Sequence, residues 1–394
     1  MRFGRRQDAG FTLVELMIAT GISMTLVAAV FSVLRPSEGA FQAQPEFSDM
    51  QQRLRFGVEA LGRDLLSAGS GVYSGARVGA LSNFFAPIMP FRVGAVGSDP
   101  PGAFRADTIT LLSVPRTCAQ ATIAKPMAPA ANELSVNREP GCPPNDEACC
   151  FEVGMQGLVF DHVGAWNSFA VEGVSGATLN LQRLGPNVLK DYEVGAFVVQ
   201  ATFHTYYLKA DDATQTYQLM HYDGDQTDLP VVDNVVGLEF AYFGEPVAPA
   251  LIRPASDPTG PWTTYGPKPP ALGMSYGMGY PEGENCVFQV TGGQHAPRLV
   301  DLGPADGGLV KLTAATLTDG PWCPGPASPG RFDADLLRIR RVEVRLRVQA
   351  GLKQLRGPAG FLFAKAGYAR GGEMFVPDQE LRFDVAPRNL NLGR

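Results

Sequence analysis

The sequence predicts an α+β protein: a long N-terminal helix packed on an antiparallel, split β-sheet with long Pro- and Gly-rich inserts. Three observations point there. Phe11–Leu34 is one apolar run of helix length. From Glu46 to Ser67, apolar residues recur at helical spacing. Beyond Gly69 the chain turns to short runs of Val, Phe, Tyr, Thr and Leu bounded by Gly, Pro, Asn and Asp, the texture of strands and turns. Composition agrees. A chain that is 45% hydrophobic and 18% charged can bury a sizeable core, and 45 glycines with 32 prolines favour turns over further helices.

The first element is a ten-residue leader, MRFGRRQDAG, with three arginines against one aspartate. That balance holds the end in the cytoplasm. The run that follows, residues 11–35, is long enough to cross a hydrocarbon core, which takes about 20 apolar residues as a helix. A secretory signal places its small residue after the apolar stretch; here Gly10 precedes it. Cutting there would leave the membrane helix at the new N-terminus. The run carries one acid, Glu15. An ionisable group at that depth costs a few kcal/mol unless paired and marks function by default.

G-F-T-L-V-E-L, Gly10–Leu16, resembles the processing motif of type IV prepilins and pseudopilins. The resemblance implies cleavage after Gly10 by a membrane aspartyl peptidase, N-methylation of Phe11, and pairing of Glu15 with the N-terminal amine of a neighbouring subunit. It also implies a pilin-like fold.

Residues 36–67 are expected to hold a break followed by an amphipathic helix. RPSEGAFQAQP (35–45) contains two prolines and a glycine, which disfavour uninterrupted helix. Then Phe47, Met50, Leu54, Val58, Leu61 and Leu65 form one stripe, which a sheet must cover.

Residues 68–394 read as a β-rich domain. Candidate strands are Thr108–Val114, Gln156–Asp161, Ser168–Val174, Thr178–Leu184, Ala196–Leu208, Thr216–Tyr222, Val235–Phe243, Leu336–Val348 and Glu380–Ala386. Two inserts interrupt them, 115–150 and 245–329, and the second holds fifteen of the 32 prolines. Both read as long loops. The segments 50–69, 192–200, 229–244 and 380–392 resemble minor pilins of the PilW type, and in part the J-type minor pseudopilin of type II secretion. The inserts fit neither.

All six cysteines lie in the inserts: Cys118, Cys142, Cys149 and Cys150 in the first, Cys286 and Cys323 in the second. No CxxC pair suggests a metal. An oxidising compartment favours disulfides. Local pairing joins Cys286 to Cys323 and leaves three arrangements for the other four.

Other constellations are weaker. His162, His204, His221 and His295 show no metal-like spacing; His204 and His221 fall in strand-like runs, where packing or a cross-strand hydrogen bond is expected. Asp223, Asp225 and Asp228 surround a glycine, as in a polar turn or a weak calcium loop. LLRIRRVEVRLRV (336–348) alternates apolar residues with five arginines and slips phase between Arg340 and Arg341, which predicts a β-bulge with the arginines on a solvated face. No G-x-S-x-G, P-loop or dinucleotide motif suggests an enzyme or a cofactor. The net charge of −6 gives no electrostatic reason to bind nucleic acid.

The sequence thus reads as a minor type IV pilin that primes or joins pilus assembly, at or near the tip. Its expected partners are the major pilin, other minor pilins, the prepilin peptidase, the inner-membrane assembly platform and a tip adhesin. It would sit in the inner membrane before assembly, with its domain periplasmic, and then in the extracellular pilus. The alternatives are a J-type minor pseudopilin or a surface protein whose inserts bind a ligand or DNA.

Overall fold

Helix α1 runs unbroken over Leu13–Ser67. The computed structural model describes residues 12–72, 80–185, 191–213, 215–253, 262–356 and 376–391, with the backbone alone for 33–41. The break expected between Arg35 and Pro45 is absent: 35–45 is helical throughout. A proline forfeits one backbone hydrogen bond and strains the turn before it, at roughly 3 kcal/mol. Tertiary contacts beyond Pro45 outweigh that cost. Ala43 and Met50 are buried, and the Glu46 carboxylate accepts a 2.7 Å hydrogen bond from the Gly351 N–H.

The chain divides into two compact units. The first joins residues 1–52 to 349–379. In it the Arg356 guanidinium binds the carbonyls of Ala350 and Gly351, and Arg356 bridges to Val376. The second unit takes in 53–348 and 380–394.

Strands in chain order are β1 (Ile88–Met89), β2 (Ile109–Ser113), β3 (Gln120–Thr122), β4 (Glu133–Ser135), β5 (Gln156–Phe160), β6 (Trp166–Ser175) and β7 (Thr178–Arg183). There follow β8 (Phe197–Gln200), β9 (Thr202–Asp211), β10 (Thr216–Tyr222), β11 (Asp228–Gly244), β12 (Leu251–Ile252), β13 (Trp262–Thr263), β14 (Phe288–Thr291) and β15 (Gln294–Pro297). The last are β16 (Val310–Leu312), β17 (Trp322–Cys323), β18 (Phe332–Asp333), β19 (Ile339–Val348) and β20 (Gln379–Val385). One sheet has the order β1-β2-β9-β10-β11-β19-β20, with β16 also on β11; a second has the order β3-β8-β5-β6-β7-β4. The sheet is indeed split. The run expected as one strand, Ala196–Leu208, divides at buried Ala201: β8 belongs to one sheet and β9 to the other.

The C-terminal part of α1 lies on the first sheet. Leu54, Leu61 and Leu65 are buried, as the stripe requires. Gly57 is the point of closest approach. A Cβ there would stand 2.8 Å from Leu346 of β19 and 3.1 Å from Val232 of β11. Helix and sheet meet over a residue with no side chain.

The first insert is more than a loop. It supplies β3 and β4 to the second sheet, and its Ile123, Met127, Leu134, Val136 and Cys149 pack in one core with Val159, Phe169, Val171 and Val198. Among its described residues the second insert forms the ribbons β12–β13 and β14–β15, pairs its β17 with β18 just beyond it, and contributes β16 to the first sheet.

Strand β19 carries the expected bulge. Its register against β11 shifts where Gly244 faces Ile339 and Phe243 faces Arg341, so Arg340 is the extra residue. The solvated arginine face needs correction. Arg338 and Arg340 are buried. Arg338 pairs with Asp335 and donates to the Val300 carbonyl at 2.6 Å, while Arg340 donates to the carbonyls of Leu337 and Ile339. Arg338 moreover belongs to a short 3-10 turn, Ala334–Arg338, that precedes the strand. Arg345 and Arg347 do face solvent.

Candidate functional site: the N-terminal helix and its carboxylate

Leu13–Ser32 forms a 20-residue helical segment of mean hydropathy 2.0, none of it buried by the rest of the protein. Leu13, Met17, Met24 and Phe31 are all more than half exposed. Such a surface in water would be strongly unfavourable, so length and composition match a membrane span. Three of its hydroxyls are satisfied within the helix: Thr20 and Thr25 donate to the carbonyls of Leu16 and Ile22, and Ser32 to that of Ala29.

Glu15 sits in the first turn and is paired with Thr12. Its Oε2 accepts from the Thr12 backbone N–H at 2.9 Å and from the Thr12 hydroxyl at 2.8 Å; the Glu15 N–H returns a bond to Thr12 Oγ1 at 3.3 Å. This is a capping box, Thr12-x-x-Glu15, in which two otherwise unpaired helix-end donors are satisfied reciprocally. Sequence reasoning singled out Glu15 and missed Thr12, although S/T-x-x-E before an apolar run signals that motif. The proposed processing residues, Gly10 and Phe11, lie outside the described residues.

Residues 5–31 match the family model for the prokaryotic N-terminal methylation motif. The chain carries a type IV prepilin or pseudopilin N-terminus. That motif family is structural, and a prepilin N-terminus entails processing by a prepilin peptidase and assembly with other pilins. No curated protein and no solved structure matches the chain.

The six cysteines form three disulfides: Cys118–Cys150, Cys142–Cys149 and Cys286–Cys323, with Cα separations of 5.6, 4.7 and 5.1 Å. The first two are nested, the second loop lying inside the first.

The aspartates at 223–228 do not converge. Asp223 Oδ1 accepts from the N–H groups of Asp225 and Thr227, closing the turn, whereas Asp228 accepts from the Tyr207 hydroxyl at 2.6 Å. The polar-turn reading describes this arrangement. His162 packs between the rings of Phe84 and Phe197, where burial pushes its pKa down. His295 lies 3.1 Å from the Pro270 carbonyl. His204 and His221 meet across neighbouring strands at 2.8 Å.

Proposed function

We propose that this chain is a minor type IV pilin, a subunit that primes or joins a pilus through its N-terminal helix. The observation that carries the reading is the exposed apolar helix with a single carboxylate, Glu15, the fifth residue beyond the cut the motif implies. In this account the peptidase cuts after Gly10 and Phe11 becomes the methylated N-terminus. The helix holds the subunit in the inner membrane until the filament accepts it. Glu15 then meets the cationic amine of a neighbouring subunit, since a carboxylate in a low-dielectric filament core is stable only when paired. The β-rich domain faces outward with its two inserts. Chemistry is not required of it.

Mass spectrometry of sheared surface pili tests this. The expected species begins at N-methylated Phe11 and has 384 residues, the 394 less the ten of the leader. Its absence from pili, together with loss of enzyme secretion in a deletion strain, would assign the chain to a type II secretion pseudopilus instead. An intact Met1 in filament-derived protein would overturn the processing account.

A further inference from the structure

Strands β9 and β10 pair antiparallel with Tyr206 opposite His221. Side chains alternate along a strand, so His204 shares a face with Tyr206, two residues on. His221 shares it too, by register. Helix α1 covers that face with Asp64, whose Oδ2 accepts the Tyr206 hydroxyl at 2.6 Å and lies 3.3 Å from His204 Nδ1. His204 Nδ1 in turn lies 2.8 Å from His221 Nε2. One donor atom from each of Asp64, His204 and His221 lies within 4.8 Å of the other two. We propose that these three residues bind one divalent transition-metal ion of the zinc type.

The donor set fits. Two imidazole nitrogens and one carboxylate oxygen, with room for water, are ligands zinc and its neighbours accept. Around such an ion, bonds of about 2.0–2.1 Å at tetrahedral angles put two donors roughly 3.3 Å apart. The Asp64–His204 separation already has that value. The two imidazoles need open by only about half an ångström, within reach of a small ring rotation.

Proton accounting favours a cation as well. His204 Nδ1 stands between His221 Nε2 and Asp64 Oδ2, and whichever ring nitrogen carries the proton, neutral imidazoles cannot make full hydrogen bonds at both contacts. A metal ion would satisfy all three atoms at once. The carboxylates of Asp64 and Asp223 both act on these imidazoles and would attract a cation. Arg63, on Asp64 Oδ1 at 3.1 Å, works against one, but its side chain is 74% exposed and screened by water. Tyr206 would act as a positioning residue, holding the carboxylate that ligates. The His204 side chain is 23% exposed, which gives an ion a path in.

Such an ion would tie the last turns of α1 to the middle of the first sheet. The test uses the full-length, tag-free protein in detergent, dialysed against Zn²⁺ and then assayed for metal. The expected result is one zinc per chain, with affinity reduced at least tenfold by His221→Ala and by Asp64→Asn and unchanged by His295→Ala. Zinc should also raise the melting temperature of the wild type and leave that of His221→Ala where it was. X-ray absorption on the zinc-loaded wild type reads the ligands without any variant: two imidazoles and an oxygen shell are expected. Failure of the wild type to retain zinc, an all-oxygen shell, or undiminished binding after loss of both histidines would overturn the proposal.

Discussion

Tyr206 donates its hydroxyl hydrogen to Asp64 across 2.6 Å, fastening the final turns of the long helix to a strand 142 residues further along the chain. Both groups are buried, so the bond is made in a poorly screened environment. Tyr206→Phe keeps the ring and removes the donor. A hydrogen bond to a charged group contributes about 1.5–3 kcal/mol, and thermal unfolding of the variant should register a loss in that range. An unchanged melting temperature would mean that the helix is held by its apolar stripe alone.

Gly57 should tolerate no branched side chain. Gly57→Val would drive its methyl groups into Leu346 and Val232, at a cost of roughly 1–3 kcal/mol for overpacking. Gly62, five residues further along the helix, has open space where its Cβ would stand. Gly62→Ala on that side of the helix should be neutral or stabilising by up to about 1 kcal/mol. The two melting curves, measured together, separate close approach from helix propensity.

Asp333 gives the domain a pH dependence. Burial raises its pKa to about 6 from the ordinary 3.8, against the opposing pull of the Asp335 and Gly320 N–H groups. A raised carboxyl pKa means the folded state keeps its proton while the unfolded chain releases it. Stability from this group is therefore greatest below about pH 4 and falls as pH rises to about 6, by on the order of 2–3 kcal/mol. Asp333→Asn removes the titration and keeps one of the two acceptor oxygens, at a cost that does not depend on pH. The melting temperature of the variant relative to the wild type should rise between pH 4 and pH 7.5; a gap independent of pH would refute the assignment.

Glu15→Ala should separate trimming from assembly. In the proposed account Gly10 and the basic leader mark the cut, so the variant is expected to insert and be processed. Membrane retention should hold or rise, because a carboxylate in lipid is unfavourable. Recovery in sheared pili should fall. Thr12→Val, which breaks the cap at a cost of about 1 kcal/mol but keeps the carboxylate, should still enter pili. Wild-type entry by Glu15→Ala, or its failure to be cleaved, would move the role of Glu15 elsewhere.

Much of this architecture was legible because periodicity reports burial. The stripe from Met50 to Leu65 fixed the packed face of α1, and Thr216–Tyr222 coincides with the observed strand. The phase slip at Arg340 located a bulge. Other features escaped for identifiable reasons. Strands of three residues, such as β3 and β4, show no period, so the first insert read as a loop. Arg338 and Arg340 look like surface residues until Asp335, Glu245 and a set of backbone carbonyls are found around them. The prolines at 36 and 45 argued for a break because local cost was visible and the compensating contact of Glu46 with Gly351, some 305 residues away, was not. The grouping of Asp64 with His204 and His221 needs a helix and two strands to converge, which no spacing encodes.

The nested disulfides make the first insert hard to dismantle by proteolysis. A single nick anywhere between Cys118 and Cys150 leaves both ends covalently attached, since that bond closes the loop around it. A second nick inside the Cys142–Cys149 loop still releases nothing if the first falls between Cys118 and Cys142, because the middle fragment hangs from Cys149. Trypsin cutting after Arg138 would thus be silent on a non-reducing gel and visible only after reduction. The crosslinks confer damage tolerance: the backbone can be broken while the surface it presents persists.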